Sequence, residues 1–185
     1  MIKSFIAVLL FIGVSFSANS QQSNSLKAPE KLSDSLNPDD PYFLNLEVQE
    51  SEGGDYKLVA ALELDSGCYF VSPYSKDSYK GFFQIILKDN PFVQLDGNFV
   101  EFPLTKAKPD KWQGGLSHFV EENTSYTHKL AVNSTEDFKI TGFVQFVIEP
   151  KCTLEEIPFS ISYVNGKLLI QKFPKLDKRT CTKKI

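Results

Sequence analysis

Short runs of alternating apolar and polar residues follow one another from about residue 42 onward, and they predict strands. Leu58, Ala60, Leu62 and Leu64 share one parity, as a strand with one buried face requires. Two further faces of this kind are made by Tyr126, His128, Leu130 and Val132 and by Phe138, Ile140, Val144, Phe146 and Ile148. About nine such runs, with turn residues between them, predict an all-β sandwich of about nine short antiparallel strands.

Turn signals separate these runs. Asp96-Gly97 and Asn165-Gly166 each lie between two apolar runs, and such pairs supply the positive φ angles of a tight hairpin turn. We therefore predict a hairpin at each position. Pro158 predicts a strand that begins just after it, and residues 106–115, which are polar and broken by proline, predict a long loop.

The two ends of the chain differ from its middle. Residues 1–20 combine Lys3, an apolar run and a small-residue exit, which is the pattern of a secretory signal peptide. We expect a flexible leader over 21–41, the sandwich domain over 42–174 and a basic tail over 175–185. The apolar run is shorter than the ~20 residues that span a bilayer. We therefore expect an exported protein, in the periplasm or outside the cell, with no transmembrane segment after signal removal.

Composition and charge narrow the possible functions. Sixteen Phe and seven Tyr against one Met and one Trp suit strands, and a formal net charge of −3 gives no reason to expect nucleic acid as a partner. The sequence has no glycine-rich phosphate loop and no G-x-S-x-G element, which argues against a serine hydrolase. The pair Glu155-Glu156 is expected to be solvated charge.

The histidines and the tryptophan are the next candidates for chemistry. His128 shares the apolar parity of its run and is predicted to be a core histidine. A metal site built from His118, His128 and a cysteine lacks any short ligand spacing, so we expect no metal and no cofactor. Trp112 lies in the predicted loop, either as a binding anchor or as a cover for the sandwich edge, which the usual burial of Trp favours.

Three cysteines permit one disulfide and leave one thiol. A hairpin at Asn165-Gly166 returns the chain toward Cys152, which favours a Cys152–Cys181 pairing. That link would add about 3–4 kcal/mol to stability in the chain-entropy model. Cys68 would then be a buried thiol, and Cys68–Cys152 is the alternative pairing.

Two segments resemble the N-terminal periplasmic domain of DsbD-type thiol:disulfide interchange proteins. Residues 64–71, Leu-Asp-Ser-Gly-Cys-Tyr-Phe-Val, resemble a Gly-Tyr-Tyr-Leu-Tyr strand of that family, and residues 142–152 resemble its strand and first active cysteine, matched by Cys152. The resemblance implies an immunoglobulin-like sandwich in the periplasm and a thioredoxin-like partner. Ile157 stands about where the family has its second cysteine, so exchange would need Cys68 or Cys181 as the resolving thiol.

The sequence as a whole favours an exported interaction module without catalysis of its own, which binds a protein in the periplasm or cell envelope. Trp112 and Tyr69, the latter in the first segment quoted above, are its candidate binding residues. A thiol–disulfide exchange domain acting through Cys152 is the rival hypothesis. A structural component of the cell envelope is the third.

Overall fold

The computed structural model describes residues 40–75, 81–111 and 114–174, and these residues form strands and connections but no helix. None of them therefore supplies a helix that would cross a bilayer. The strands are β1 (Tyr42–Glu50), β2 (Tyr56–Leu64), β3 (Phe70–Val71), β4 (Gln84–Leu87), β5 (Val93–Phe102), β6 (Ala107–Pro109), β7 (Leu116–Val120), β8 (Thr124–Val132), β9 (Phe138–Ile148), β10 (Thr153–Val164) and β11 (Lys167–Lys172).

Two four-stranded sheets make up the body of the fold. Sheet 1 has the order β1-β2-β8-β5 and sheet 2 the order β11-β10-β9-β4, while β3, β7 and β6 form a smaller third sheet. All of these strand pairs are antiparallel. The predicted all-β, immunoglobulin-like sandwich is thereby confirmed. The described residues form eleven strands and not the predicted nine, because two of the strands, β3 and β6, are only two and three residues long.

The core lies between sheets 1 and 2 and is rich in aromatic rings. Tyr42 of β1 meets Phe146 of β9 edge to face at 4.9 Å between ring centroids, and Phe83 stacks on Tyr126 of β8 at 4.2 Å. Burying each large apolar side chain contributes about 1.5–3 kcal/mol. Other fully buried core residues are Phe70, Phe159, Leu58, Leu62, Ile148, Ile161, Val93, Val120 and Val144.

One predicted hairpin is confirmed and the other is wrong. Val164 pairs with Lys167 across Asn165-Gly166, whose φ angles of 51° and 81° are those the tight turn needs. Asp96-Gly97 does not turn the chain. The residues on both sides of it belong to β5 and pair with the same strand, β8, and the register shifts between Asp96 and Val100. The positive φ of Gly97, 79°, is therefore accommodated in a β-bulge.

Two other sequence predictions also fail in detail. The strand expected after Pro158 begins at Thr153 and includes the proline. The Phe173 amide donates to the Pro158 carbonyl at 2.8 Å, and β11 has already ended at Lys172. The nitrogen of Pro158 faces the point at which β11 has ended. The missing N–H therefore removes no hydrogen bond within the β10–β11 ladder, and strands tolerate proline at such a position. The predicted loop 106–115 contains β6, which pairs with β7.

Several predicted features lie outside the described residues. They are the signal peptide, the leader up to residue 39, the basic tail, Trp112 and Cys181. The predictions made for them remain predictions.

Candidate functional site

Highly exposed apolar side chains occur at the end of β5. Val100 is 63% exposed, Phe102 76% and Leu104 66%, while Glu101 is buried. Successive strand residues point to opposite faces, so Val100 and Phe102 project from the outer face of sheet 1. We call Val100, Phe102 and Leu104 the apolar strip.

Glu101 holds the backbone of this segment in place from the inside. One carboxylate oxygen accepts the Thr105 amide at 2.7 Å, and the other accepts the Ser72 hydroxyl. A buried carboxylate requires such donors, because its burial without them would cost several kcal/mol. The Tyr126 hydroxyl lies nearby, and burial, followed by the Glu101 charge, raises the pKa of Tyr126. The chain turn after β5 is therefore fixed before any partner arrives.

The strip is also held from its flanks. The Tyr74 hydroxyl donates to the Phe99 carbonyl at 2.7 Å. His118 Nδ1 lies 2.8 Å from the Thr105 carbonyl, and since a carbonyl only accepts, Nδ1 carries the proton. Leu116, two residues before His118 on β7, is 67% exposed. A backbone that is fixed in this way loses less conformational entropy when a partner binds to it.

The two described cysteines lie near a different corner of the fold. Tyr69 and Glu149 form a backbone bridge, with N···O distances of 3.1 and 2.8 Å. Cys68 precedes Tyr69, is partly buried and packs against the core. Cys152 follows Glu149 at the end of the β9–β10 turn, is exposed and has a φ of 52°. This left-handed conformation is uncommon for residues other than glycine.

The structure does not join Cys68 to Cys152. The pairing of Cys152 with Cys181, which lies outside the described residues, stays a prediction. Tyr69 packs edge to face on Phe119 at 5.8 Å. Desolvation, then the Glu149 carboxylate, raises the pKa of Tyr69, with smaller effects from Glu121, Asp110 and Cys152. The predicted residues Tyr69, Cys68 and Cys152 are thus brought to one corner.

The histidines do not meet in a metal site. His128 is 5% exposed and its ring contacts Phe99 edge to face at 4.6 Å, which confirms the predicted core histidine. The His118 ring is instead hydrogen-bonded through Nδ1 to the Thr105 carbonyl. Among the described residues, no three His, Cys, Asp or Glu side chains are grouped to hold a metal ion.

The prediction that Glu155 is solvated is wrong, although its neighbour Glu156 is exposed. Glu155 is 7% exposed in β10, and the Tyr42 hydroxyl donates to its Oε2 at 2.9 Å. Burial, and next the charge of Glu155, raises the pKa of Tyr42. The donor comes from the first strand of the other sheet, 113 residues away, so the adjacent sequence gives no sign of it.

Sequence reasoning also missed the apolar strip. Its alternation of Val100, Glu101 and Phe102 resembles an ordinary strand with its apolar face inward, whereas the structure buries the glutamate and exposes the apolar pair. The one available signal lies earlier in β5. Val93, Leu95 and Phe99 share the parity of Glu101 and are buried or partly buried against the core, so they mark that parity as the inward one.

Comparisons with known proteins found little. No family model matches the chain, and no curated protein is similar to it in sequence. Among solved structures, the crystal structure of the Neisseria meningitidis DsbD N-terminal domain in the reduced form aligns with a TM-score of 0.44. The alignment has 11% identity and covers 73% of this chain and 94% of that one.

Proposed function

We propose that this protein is an interaction module that presents the apolar strip to a protein partner. The observation that carries the proposal is the exposure of Val100, Phe102 and Leu104, at 63, 76 and 66%. Together they expose on the order of 400 Å² of apolar surface, which is within the range of the largest patch on a typical monomer, and such patches are often functional.

The strip contributes to binding but is not a complete interface by itself. Burying about 400 Å² contributes roughly 10 kcal/mol at ~25 cal/mol/Å², whereas association costs about 4–15 kcal/mol, so the strip would be the apolar centre of a larger contact surface. Behind the strip, Glu101 accepts from the Thr105 amide and the Ser72 hydroxyl, and His118 is hydrogen-bonded to the Thr105 carbonyl. We therefore assign the strip to binding and not to catalysis.

We further propose that the protein acts after export, in the periplasm or outside the cell. The pattern of residues 1–20 supports this location. The partner would then be another exported or envelope protein.

Site-specific crosslinking tests the proposal. A photo-crosslinking phenylalanine analogue is placed at position 102, and as a matched control at position 47, since Glu47 is exposed at the other edge of the same outer face. We expect one discrete crosslinked partner from position 102, lost when Val100 and Leu104 are changed to serine. Equal crosslinking from both positions, or none from position 102, would refute the proposal.

The cysteine corner supports a second candidate, thiol–disulfide exchange. Cys152 is exposed and in a left-handed conformation, and strained residues cluster at functional sites. In this scheme the Cys152 thiolate attacks a partner disulfide and one partner thiolate leaves. The thiolate of Cys68 or Cys181 then displaces the second partner sulfur. The partner is reduced to a dithiol and this chain is oxidised to a disulfide.

Mass spectrometry of the alkylated protein distinguishes thiol–disulfide exchange from a disulfide that has only a structural role. A Cys152–Cys181 link that resists a reduced thioredoxin-like protein would make the disulfide structural. The end of β11 supports such a link, because Phe173 bonds to Pro158 and the chain there runs beside β10 toward Cys152. A link that opens readily and re-forms on oxidation would support exchange.

A further inference from the structure

A second group of exposed apolar residues lies on the hairpin made by β6 and β7. Ala107 and Pro109 of β6 are exposed, and Leu116 of β7 is 67% exposed. Ala107 pairs with His118 and Pro109 with Leu116, and residues directly opposite each other on paired strands lie on the same face. The three apolar residues therefore share one face of the hairpin with His118, and we call it the hairpin face.

The hairpin face is turned toward the apolar strip. His118 Nδ1 lies 2.8 Å from the carbonyl of Thr105, the residue that directly follows the strip. The His118 ring centroid also lies 6.3 Å from that of Tyr74, whose hydroxyl donates to the Phe99 carbonyl beside the strip. Because a side chain of the hairpin face contacts the main chain on which the strip stands, the two surfaces adjoin. We call the strip and the hairpin face together the apolar corner.

Charged side chains are kept away from the centre of the corner. Glu101 is buried beneath the strip. Lys108 alternates with Ala107 and Pro109 in β6 and so points to the opposite face of the hairpin, where it forms an ion pair with Glu121. Lys106 is exposed, and a long lysine side chain at the rim of an interface keeps its charge in water. A partner that covers the corner must therefore present an apolar surface at its centre.

The area of the corner matches one side of a homodimer interface. Val100, Phe102, Leu104 and Leu116 are 63, 76, 66 and 67% exposed, which amounts to about 500 Å² of apolar surface, near the upper end for a patch on a monomer. A standard interface buries about 800 Å² from each partner. About 65% of a homodimer interface is apolar, or about 520 Å². The corner thus holds the apolar area that such a dimer needs.

We propose that a second copy of this chain covers the apolar corner, in a two-fold dimer in which the strip of each copy packs against the hairpin face of the other. A two-fold contact requires a surface that complements itself. An apolar centre meets this requirement, because its own copy brings no like charge against it. The inference rests on the proposed function and identifies the partner of the strip as this chain itself.

Sedimentation equilibrium of the protein purified after export tests the proposal. The buffer contains a reducing agent, so that the exposed Cys152 does not link two copies. Interfaces of standard size have Kd values from micromolar to picomolar, and we expect a dimer with a Kd of about 10 µM or tighter. In the same purified protein, the photo-crosslinking residue at position 102 should give a species of twice the chain mass, whereas the control at position 47 should not.

Two leucine variants make the test specific to the corner. Leu116→Ser should weaken the dimer at least tenfold, because the substitution occurs twice in a two-fold interface. Leu169→Ser is the matched control, since Leu169 is 58% exposed on β11, an edge strand of sheet 2. It should change the Kd less than about twofold. Both leucines are already exposed, so neither variant is expected to unfold.

The outcomes separate this inference from the proposed function. A chain that stays monomeric at about 0.5 mM, or equal dimer Kd values for Leu116→Ser and Leu169→Ser, would overturn the inference. If the monomeric chain nevertheless crosslinks a different protein from position 102, the proposed function stands and only the second copy as partner is refuted.

Discussion

Gly142 of β9 offers a sharp test of how closely β4 lies against its neighbour. A Cβ added at Gly142 would lie 2.5 Å from the Ile86 carbonyl oxygen, 2.8 Å from Phe159 Cζ and 3.2 Å from Leu87 Cδ2. The first of these atoms is backbone and cannot rotate away. Gly142→Ala therefore requires β4 to move outward, which strains its pairing with β9.

The expected loss follows from two opposing effects. Overpacking of this kind costs about 1–3 kcal/mol, and the lower conformational entropy of the unfolded chain with Ala returns about 0.4–1 kcal/mol. We expect a net destabilisation of about 1–2 kcal/mol. With a urea m-value of roughly 1–3 kcal/mol/M, the unfolding midpoint should fall by on the order of 1 M.

Urea denaturation followed by far-ultraviolet circular dichroism measures this loss. The control is Gly53→Ala, whose added Cβ has no atom within 4 Å, so that only its φ of +119° is strained. Adding Leu87→Ala to Gly142→Ala should not restore stability, because the carbonyl contact remains. A midpoint for Gly142→Ala equal to that of the unchanged protein would refute the close approach of β4 to β9.

Three further predictions concern buried tyrosines and the β9–β10 turn. Burial raises the pKa of Tyr42 and of Tyr126, so the folded chain keeps two protons that the unfolded chain releases above about pH 10. Stability should be intact below pH 10 and fall above it by about 1.4 kcal/mol per pH unit for each of these two tyrosines. In urea titrations Tyr126→Phe should reduce the slope by about 1.4 kcal/mol per pH unit, and an unchanged slope would contradict the assignment. Tyr42→Phe removes a hydrogen-bond donor from buried Glu155 and should lower the free energy of unfolding by about 1–2 kcal/mol at pH 7, measured by urea denaturation. The double variant that also carries Glu155→Gln should recover part of this loss. Cys152 has a φ of 52°. Cys152→Gly should therefore change the free energy of unfolding by no more than about 0.5 kcal/mol, whereas Cys152→Val, which introduces a β-branched side chain, should lower it by about 1 kcal/mol or more. Equal stability of the two variants would argue against the left-handed conformation.

The sequence was sufficient to predict those features that depend on local alternation. The run ending at Leu64, the core position of His128 and the turn at Asn165-Gly166 each follow from neighbours a few residues away. Asp96-Gly97 carries the same local signal and yet forms a bulge, because both flanking segments pair with β8. The choice between turn and bulge depends on a third strand that lies elsewhere in the chain.

The candidate sites depended more heavily on distant contacts. Glu101 is buried because Ser72 and the turn at Thr105 supply its hydrogen-bond donors. Since successive strand residues point to opposite faces, Val100 and Phe102 are then exposed. Neither follows from the alternation alone.

The apolar strip as a partner surface is the central claim, and a direct affinity comparison tests it. Calorimetric titration of the partner captured from position 102 would be carried out with the unchanged protein and with a triple variant carrying Val100→Ser, Phe102→Ser and Leu104→Ser. We predict at least a 100-fold weaker Kd, about 2.7 kcal/mol, with a thermal midpoint that changes by no more than about 2 °C because the three side chains are already exposed. A Kd within threefold of the original in a folded triple variant would contradict the account.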